Sequence, residues 1–350
     1  MRKRRIIGRL VAAIAAGGLL AACAAKAPEG VEVLRYASPY SPGHPFSRAD
    51  IAWMKHVEQA SGGRLKVQPF WGGSLISSDQ SVVELRHGVA DVALITPIYM
   101  RGGMHAVKTQ SGFYSGARSF EDQVAVYRCL SQAFPVFGQE LEGVRVLAVQ
   151  GGSLPHVLTR ERPVRSLDDL RGMRLRAPTE LVPVLQELGV DVVTMPMGEV
   201  YSALSKGVID GVVAPSDTLR ALHFNEVARY MTLLQVPRGG YPGRAISEQR
   251  WRTLAPELQA VLVRSTPVWE AAMAREIRKA EAAGAAFGRS HGVAFIELPA
   301  AEQARFDAIY NAAAAAEARK LDRRGLPGTA IYRHARSLLA PGAARSHCHA

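Results

Sequence analysis

Hydrophobic and polar positions along the chain follow two periods in turn, which predicts an α/β protein. Short apolar runs at residues 31–38, 64–70 and 89–96 are typical of buried strands. Residues 47–60 place apolar side chains three or four positions apart, which is typical of an amphipathic helix. The order strand, helix, strand, helix, strand predicts a largely parallel sheet with helices on its faces.

A short string occurs twice in the same context. Residues 86–93 read RHGVADVA and residues 205–212 read SKGVIDGV, each after a helical segment and before an apolar strand. The glycine is expected to end the helix in the left-handed conformation, the valine to pack back, and the aspartate to cap the turn into the strand. The recurrence predicts two α/β lobes of similar build that face one another.

The order of the remaining elements predicts how the two lobes share the chain. The segment YMTLLQVP, residues 230–237, is expected to be a strand that carries the chain back to the first lobe. We assign residues 32–150 and 240–280 to lobe I, residues 151–239 and 281–335 to lobe II, and residues 336–350 to a disordered tail.

The N-terminal residues indicate export. Residues 1–22 combine a basic start with a short run rich in Ala, Leu, Ile and Gly, too short and too weakly apolar for a membrane span. The run ends in LAAC, which is typical of a bacterial lipobox, so we expect a lipoprotein signal cut before a lipidated Cys23. An ordinary signal peptide with an incidental cysteine is the alternative. Residues 23–31 would be a linker, and the sequence does not distinguish the inner from the outer membrane.

The charge and the cysteines narrow the class further. The formal net charge is +12, and removal of residues 1–22 would lower it to about +7. Nucleic acid is not expected as a partner, because the arginines are dispersed and no basic stripe interleaves with aromatics. A disulfide between Cys129 and Cys348 is permitted in an oxidising compartment, but we expect none because Cys348 lies in the terminal tail.

The stretch DLRGMRLRAP, residues 169–178, carries the strongest candidate chemistry. It predicts a short strand with Arg174 and Arg176 on one face, since positions i and i+2 of a strand point the same way. Arg176 lies where the strand ends, and open α/β sheets bind ligands at the carboxyl ends of their strands. A guanidinium matches a carboxylate with two parallel N–H donors. From these residues alone, a solvated edge and an anion site are equally supported.

Five strings in series resemble the substrate-binding proteins of TRAP transporters, the DctP type. They are ASGGRLKVQPFWGGSL, GMRLRAP, MPMGEVYSALSKGVIDG, FNEVARYMTLL and RWRTLAPELQAVL, and the likeness covers about residues 32–325. It implies a two-lobed periplasmic binding protein, type II-like, with one long helix spanning both lobes. The ligand would be a small organic acid, and the partners the small and large membrane subunits of a permease driven by an ion gradient.

The resemblance also implies roles for single residues. Arg176 takes the position of the arginine that holds the ligand carboxylate, with Arg174 structural. Five further ligand-binding candidates are His156, as the second basic residue, Thr96, Met197, Tyr241 and Trp71. Each has a plain structural alternative: His156 as a satisfied strand histidine, Met197 as wall packing, and Trp71 as a cap on lobe I, which we favour.

One departure from the family pattern limits the class of acid that we expect as ligand. Ala214 stands where members often have an asparagine that reaches the ligand, and alanine supplies no hydrogen bond. The pocket is therefore expected to take one carboxylate on an apolar body. A monocarboxylate, 2-oxo acid or aromatic acid fits better than a C4-dicarboxylate or sialic acid.

Other classes of protein are less well supported. No G-x-S-x-G elbow or triad pattern indicates an enzyme, and HCH at residues 347–349 lacks a second pair of metal ligands. No cofactor or metal is expected, although some family members bind a cation beside the ligand. The same fold could serve as the ligand-sensing partner of a signalling receptor or as an ABC-type binding protein. We expect a monomer.

Overall fold

The computed structural model of the protein describes residues 30–342 and Cys348. The expected signal peptide, Cys23 and most of the linker lie outside these residues. The strands are β1 Glu32–Ala37, β2 Leu65–Phe70, β3 Val92–Leu94, β4 Val144–Gln150, β5 His156–Thr159, β6 Arg174–Arg176, β7 Asp191–Val193, β8 Gly211–Ala214, β9 Tyr230–Thr232, β10 Tyr241–Ser247 and β11 Ala294–Ile296.

The α-helices vary from one turn to seven. They are α1 Pro45–Ala60, α2 Ser81–Arg86, α3 His105–Thr109, α4 Phe120–Ala133, α5 Val136–Glu140, α6 Val182–Glu187, α7 Val200–Ser205, α8 Thr218–Ala221, α9 Glu248–Thr253, α10 Pro256–Arg264, α11 Thr266–Ser290, α12 Ala300–Asp322 and α13 Gly328–Leu338. Short 3-10 turns connect several of them, including Pro97–Tyr99, Thr179–Leu181 and Met197–Glu199. None of the described helices is both long and apolar enough to cross a membrane.

The strands form two sheets, as the sequence predicted. One sheet has the order β2-β1-β3-β10-β4 and the other β11-β9-β5-β8-β6-β7. In the first, β1 pairs in parallel with β2 and β3, and β10 pairs antiparallel with β3 and β4. The chain therefore returns to the first sheet through β10. The segment 230–237, expected to make that return, instead contributes β9 to the second sheet.

The repeated string plays the same part in both lobes. The carboxylate of Asp91 accepts a hydrogen bond from the backbone N–H of Arg35 at 2.8 Å, and that of Asp210 accepts one from Arg174 N–H at 2.7 Å. Each aspartate thus ties its turn to the neighbouring strand. The prediction that the valines pack back onto the protein is wrong, because Val208 is 50% exposed and its equivalent Val89 is also exposed. The residue after each valine, Ala90 or Ile209, is buried instead.

Two helices cross between the lobes, where the resemblance implied one. The first half of α11 packs in the core of lobe I through Trp269 and Met273. Its Gly284 lies against the second lobe, where an added Cβ would be 2.3 Å from the Ser216 carbonyl oxygen. Helix α12 contributes Phe306 and Tyr310 to the second core, and Ala314 and Ala318 to the first.

The C-terminal region differs most from expectation. Helix α13 belongs to the core of lobe I through Ile331 and Ala335, and Leu339 directly after the helix joins them, although residues up to 335 were assigned to lobe II. It also continues to Leu338, into the segment 336–350 predicted to be disordered. The expectation that the cysteines stay unpaired is wrong: Cys129 of α4 and Cys348 form a disulfide, with Cα atoms 5.0 Å apart. Because α13 packs against α4, it directs the chain end toward Cys129.

A buried ion pair lies in the middle of lobe I. Asp50 of α1 accepts two hydrogen bonds from Arg244 of β10, at 2.7 and 2.9 Å. It also accepts bonds from Trp269 Nε1 at 2.8 Å and Tyr36 Oη at 2.6 Å. Each oxygen of the Asp50 carboxylate therefore accepts two hydrogen bonds. The network joins strand β10 to helix α11.

Candidate functional site

A cavity of about 60 Å³ lies between the two lobes. Its polar lining consists of Tyr99, Ser111, Arg176, Glu180, Arg238 and Tyr241. Both lobes and the segment that connects them contribute to this set. The remaining wall is apolar and includes Met197, Val213 and Pro215.

Arg176 is the buried cation of this cavity. It ends β6, which pairs with β7 on one side and β8 on the other, so its side chain leaves the carboxyl edge of the sheet. The residue is 1% exposed, its Nε donates to Met195 O at 3.0 Å, and its Nη2 donates to Tyr99 Oη at 2.9 Å. Among the described residues, no carboxylate lies within ion-pair distance of this guanidinium.

The other arginine of the strand behaves differently. Arg174 is exposed and its Nε donates to the Asp191 carboxylate at 2.6 Å. An exposed pair of this kind contributes about 0–1 kcal/mol. The question that the sequence left open is therefore answered by burial: Arg174 is exposed to solvent, although β6 is an inner strand, and Arg176 lines the inter-lobe cavity.

Arg238 is a second cation at the cavity, and the sequence analysis missed it. It follows β9 in the connecting segment, and its Nη1 donates to Ser153 O at 3.4 Å. Gly152 makes room for it, since a Cβ there would lie 2.6 Å from the guanidinium carbon. The available signal was the RGG string: Gly239 and Gly240 both approach lobe I backbone at distances that a side chain would not allow.

Tyr99 was also missed. It belongs to the turn Pro97–Tyr99, separated by two residues from the end of β3, so the rule that ligands bind at the carboxyl ends of strands could have found it. Its phenol group stands beside the guanidinium of Arg176, whose central carbon is 5.7 Å from the ring centroid.

Burial shapes the protonation of the acidic groups near the two arginines. It raises the pKa of Tyr241 to about 12, although Arg238 acts in the opposite direction, so the phenol stays protonated near neutral pH. Burial likewise raises the pKa of the Glu180 carboxyl against the lowering effect of Arg176 and Arg238. Burial also raises the pKa of Asp217 to about 6, against the lowering effect of Arg238.

The structure brings three of the six ligand-binding candidates to this cavity: Arg176, Met197 and Tyr241. His156 lies instead on a separate groove of about 560 Å³. Its Nδ1 is 3.0 Å from the Leu234 carbonyl oxygen, and burial lowers the pKa of its imidazole, so the ring is neutral and donates there.

Thr96 and Trp71 also lie outside the cavity. The Thr96 Oγ1 donates to Ser78 O at 2.5 Å and its N–H to Ser81 Oγ at 2.9 Å, so its polar groups are occupied. It begins the turn that carries Tyr99 and thereby positions that residue. Trp71 packs on lobe I, with its ring edge-on to Tyr36 at 5.7 Å. Ala214 is buried in the core of lobe II.

Metal ligands do not gather at the cleft. Within residues 30–342 and Cys348, no group of three His, Cys, Asp or Glu side chains could hold a metal ion. The sulfur of Cys348, one member of the HCH string, is in the disulfide.

Two α/β lobes that close on a cavity with a buried arginine define a two-lobed solute-binding protein. The sequence profile described as bacterial extracellular solute-binding protein, family 7 (DctP) matches residues 36–320. The chain belongs to this family. The family and the fold that the sequence predicted, those of a solute-binding protein, are therefore confirmed.

Curated relatives are distant. A solute-binding protein of Verminephrobacter eiseniae is 27% identical over 187 residues, which cover 51% of this chain and 54% of the relative. The chain thus spans about half the length of the curated relatives it matches first. The C4-dicarboxylate-binding periplasmic protein DctP of Rhodobacter capsulatus is 25% identical over 320 residues, 88% of this chain and 92% of that one.

Solved structures share the fold. A TRAP solute-binding protein from Rhodoferax ferrireducens, in complex with copurified benzoate, has a TM-score of 0.79 at 23% identity, over 88% of this chain and 98% of that chain. A TRAP periplasmic solute-binding protein from Bordetella bronchiseptica, with bound mandelate, has a TM-score of 0.78 at 19% identity over the same shares.

Proposed function

We propose that the protein captures a small organic acid in its inter-lobe cavity and delivers it to a TRAP permease. The permease would consist of a small and a large membrane subunit driven by an ion gradient. One observation carries the proposal: Arg176 is 1% exposed and yet has no carboxylate partner among the described residues. A buried charge without a counter-charge is costly, and a ligand carboxylate would supply that counter-charge.

The donor geometry supports a carboxylate as the ligand group. Nε and Nη2 of Arg176 are used by Met195 O and Tyr99 Oη, while Nη1 has no hydrogen-bond partner in the described part of the chain. A second guanidinium, Arg238, lines the same cavity. Two positioned guanidiniums in a water-poor cleft form strong charge-assisted hydrogen bonds with an anion.

The rest of the cavity supports an apolar ligand body. Met197, Val213 and Pro215 offer no hydrogen bonds from their side chains, and the position of the family asparagine is a core alanine. We therefore propose a monocarboxylate, 2-oxo acid or aromatic acid rather than a C4-dicarboxylate or sialic acid. Comparable affinity for succinate and for aromatic acids would contradict this choice.

Thermal unfolding against a panel of organic acids tests the proposal. The chain is first unfolded in denaturant without reductant and refolded, which removes carried-over ligand and preserves the disulfide. An acid at 100 times its dissociation constant stabilises the folded state by about 2.7 kcal/mol, which shifts the midpoint measurably. A panel without any stabilising acid contradicts organic-acid capture.

The cellular setting is part of the proposal. Export through the signal at residues 1–22 would place the protein in the periplasm, lipid-anchored through Cys23. Mass spectrometry of the mature N-terminus and membrane fractionation of a Cys23→Ala variant test the anchor. We infer that the protein is a monomer, which light scattering tests. We also infer that it has no catalytic activity, which incubation with the bound acid and analysis of that acid tests.

Receptor sensing is the alternative use of the same site. Genes for the two permease subunits beside this gene, and copurification with those subunits, support transport. Copurification with a signalling receptor, in the absence of such genes, supports sensing. An ABC-type role is disfavoured by the family to which the chain belongs.

A further inference from the structure

We propose that Glu180 makes the cavity selective for acids that carry a hydroxyl group in addition to their carboxylate. The inference rests on the proposed function and concerns the second contact that the ligand makes. Glu180 lies in the turn Thr179–Leu181, four residues after Arg176, and lines the same cavity.

One oxygen of Glu180 is left without a partner. The Oε2 atom is shielded from solvent and makes no hydrogen bond within the described part of the protein. Buried polar atoms are nearly always paired, and an unpaired one is costly. An unpaired carboxyl oxygen at the wall of a ligand cavity is therefore a site that the ligand can satisfy.

Glu180 shares the inter-lobe cavity with both of its cations. Three side chains that line the same cavity lower the pKa of this carboxyl: Arg176 and Arg238 through their charge, and Ser111 through a hydrogen bond. Tyr310, at the second cavity, feels the charge of Glu180 as well. Neither arginine is within ion-pair distance of the Glu180 carboxyl. A ligand whose carboxylate binds the guanidiniums would therefore bring its next atoms close to Oε2.

A hydroxyl group is the ligand chemistry that matches Oε2. A carboxylate oxygen accepts hydrogen bonds and does not donate them. An acid with a hydrogen atom or a methyl group in place of the hydroxyl would leave Oε2 desolvated and unpaired. Sites built to bind a hydroxyl reject the analogue that lacks it far more strongly than apolar pockets reject a missing methylene.

A second cavity offers a competing explanation for Glu180. It has a volume of about 110 Å³ and is lined by Glu180 together with Lys108, Phe113 and Tyr310. The Oη atom of Tyr310 is buried and unpaired as well. If Glu180 serves only this cavity, for example through water shared with Tyr310, it has no effect on which acid binds.

Calorimetry with matched pairs of acids separates these explanations. The probes are mandelate against phenylacetate, 3-hydroxybenzoate against benzoate, and lactate against propionate, each pair differing by one hydroxyl. In the wild type we expect the most tightly bound hydroxy acid to bind at least about tenfold tighter than its partner. In Glu180→Ala the ratio should fall to about threefold or less. Tyr310→Phe, the matched control at the second cavity, should keep the wild-type ratio.

Each remaining outcome overturns a defined part of the account. Equal affinity within all three pairs in the wild type, or a preference that survives Glu180→Ala, overturns the role of Glu180. If the acids still bind in an Arg176-dependent manner, the proposed function stands without it. If none of the six acids binds, both this inference and the choice of an apolar monocarboxylate fail. Should Glu180→Ala not fold, Glu180→Met, which removes both acceptor oxygens at a similar side-chain length, should lower the ratio in the same way.

Discussion

The guanidinium of Arg176 in the second lobe donates a 2.9 Å hydrogen bond to the phenol oxygen of Tyr99 in the first lobe. Close by, Thr179 Oγ1 donates to the Ile98 carbonyl oxygen at 3.0 Å, again across the lobes. The arginine proposed to hold the ligand is thus also part of the contact that holds the cleft closed. If Arg176 holds the ligand as proposed, ligand capture and the contact between the lobes share one side chain.

This contact predicts that Tyr99→Phe weakens binding without removing it. The substitution deletes one hydrogen bond to a charged group, and that bond joins lobe II to lobe I. We expect the dissociation constant to rise about tenfold, with little change in the stability of the unliganded protein. Calorimetry of the acid found by thermal unfolding measures the effect.

Tyr201→Phe is the matched control for that change. Its phenol donates to Glu226 on the surface of lobe II at 2.7 Å, away from the cavity. Equal losses of affinity in the two variants would contradict the role of Tyr99 in closure.

The disulfide predicts a stability difference that depends on the C-terminal cysteine. Cys348→Ser opens a cross-link between residues 219 positions apart, and such bonds typically stabilise by about 2–4 kcal/mol. Unfolding in guanidinium chloride should show this loss, and reductant should have the same effect on the wild type. A variant that unfolds at the wild-type denaturant concentration would show that the bridge does not form.

The ion pair in the middle of lobe I predicts a large cost for Asp50→Asn. The substitution leaves Arg244 buried without its counter-charge, which costs about 3–5 kcal/mol of unfolding free energy. Asp191→Asn, which breaks the exposed pair with Arg174, should cost less than about 1 kcal/mol. Denaturant unfolding compares the two, and similar losses would contradict the assigned difference in burial.

Asp217 predicts a dependence of stability on pH. Its pKa is raised to about 6 in the folded state from an ordinary 3.8, so the folded state binds more protons than the unfolded chain between these values. Stability from this group is therefore present below about pH 4 and is lost as the pH rises through 6. The loss amounts to at most about 3 kcal/mol.

Asp217→Asn tests this dependence directly. The variant should be more stable than the wild type at pH 7 and should show a flatter stability profile between pH 4 and 6. Denaturant unfolding across this range measures both effects. If the slope of the unfolding free energy against pH is the same in the variant and the wild type, the raised pKa of Asp217 is contradicted.

Local patterns predicted the architecture and part of the site. The alternation of strands and helices and the repeated turn indicated two lobes, and the string MRLRAP placed an arginine at a strand end. These features depend on neighbours in sequence, where periodicity and turn chemistry apply. Met197 and Tyr241 were reachable through the family resemblance, because they flank recognisable strings.

Contacts between distant segments could not be predicted in the same way. Arg238 reaches the cavity because Gly152, far earlier in the chain, leaves space for its guanidinium. Cys348 meets Cys129 only because α13 folds back onto lobe I. His156 begins β5 and Thr96 follows β3, but nearby backbone and hydroxyl groups already pair with their polar atoms. Each outcome depends on tertiary packing that local sequence does not encode.

The dissociation constant of the bound acid in wild type, Arg176→Ala and Arg174→Ala tests the central claim most directly. The two variants remove an arginine side chain from the same strand, one buried at the cavity and one exposed to solvent. Loss of a desolvated partner should weaken binding in Arg176→Ala by about 2–5 kcal/mol, roughly 30-fold or more, while Arg174→Ala stays near the wild-type value. Undiminished affinity in a folded Arg176→Ala, or equal losses in both variants, would contradict the assignment of Arg176 as the carboxylate anchor.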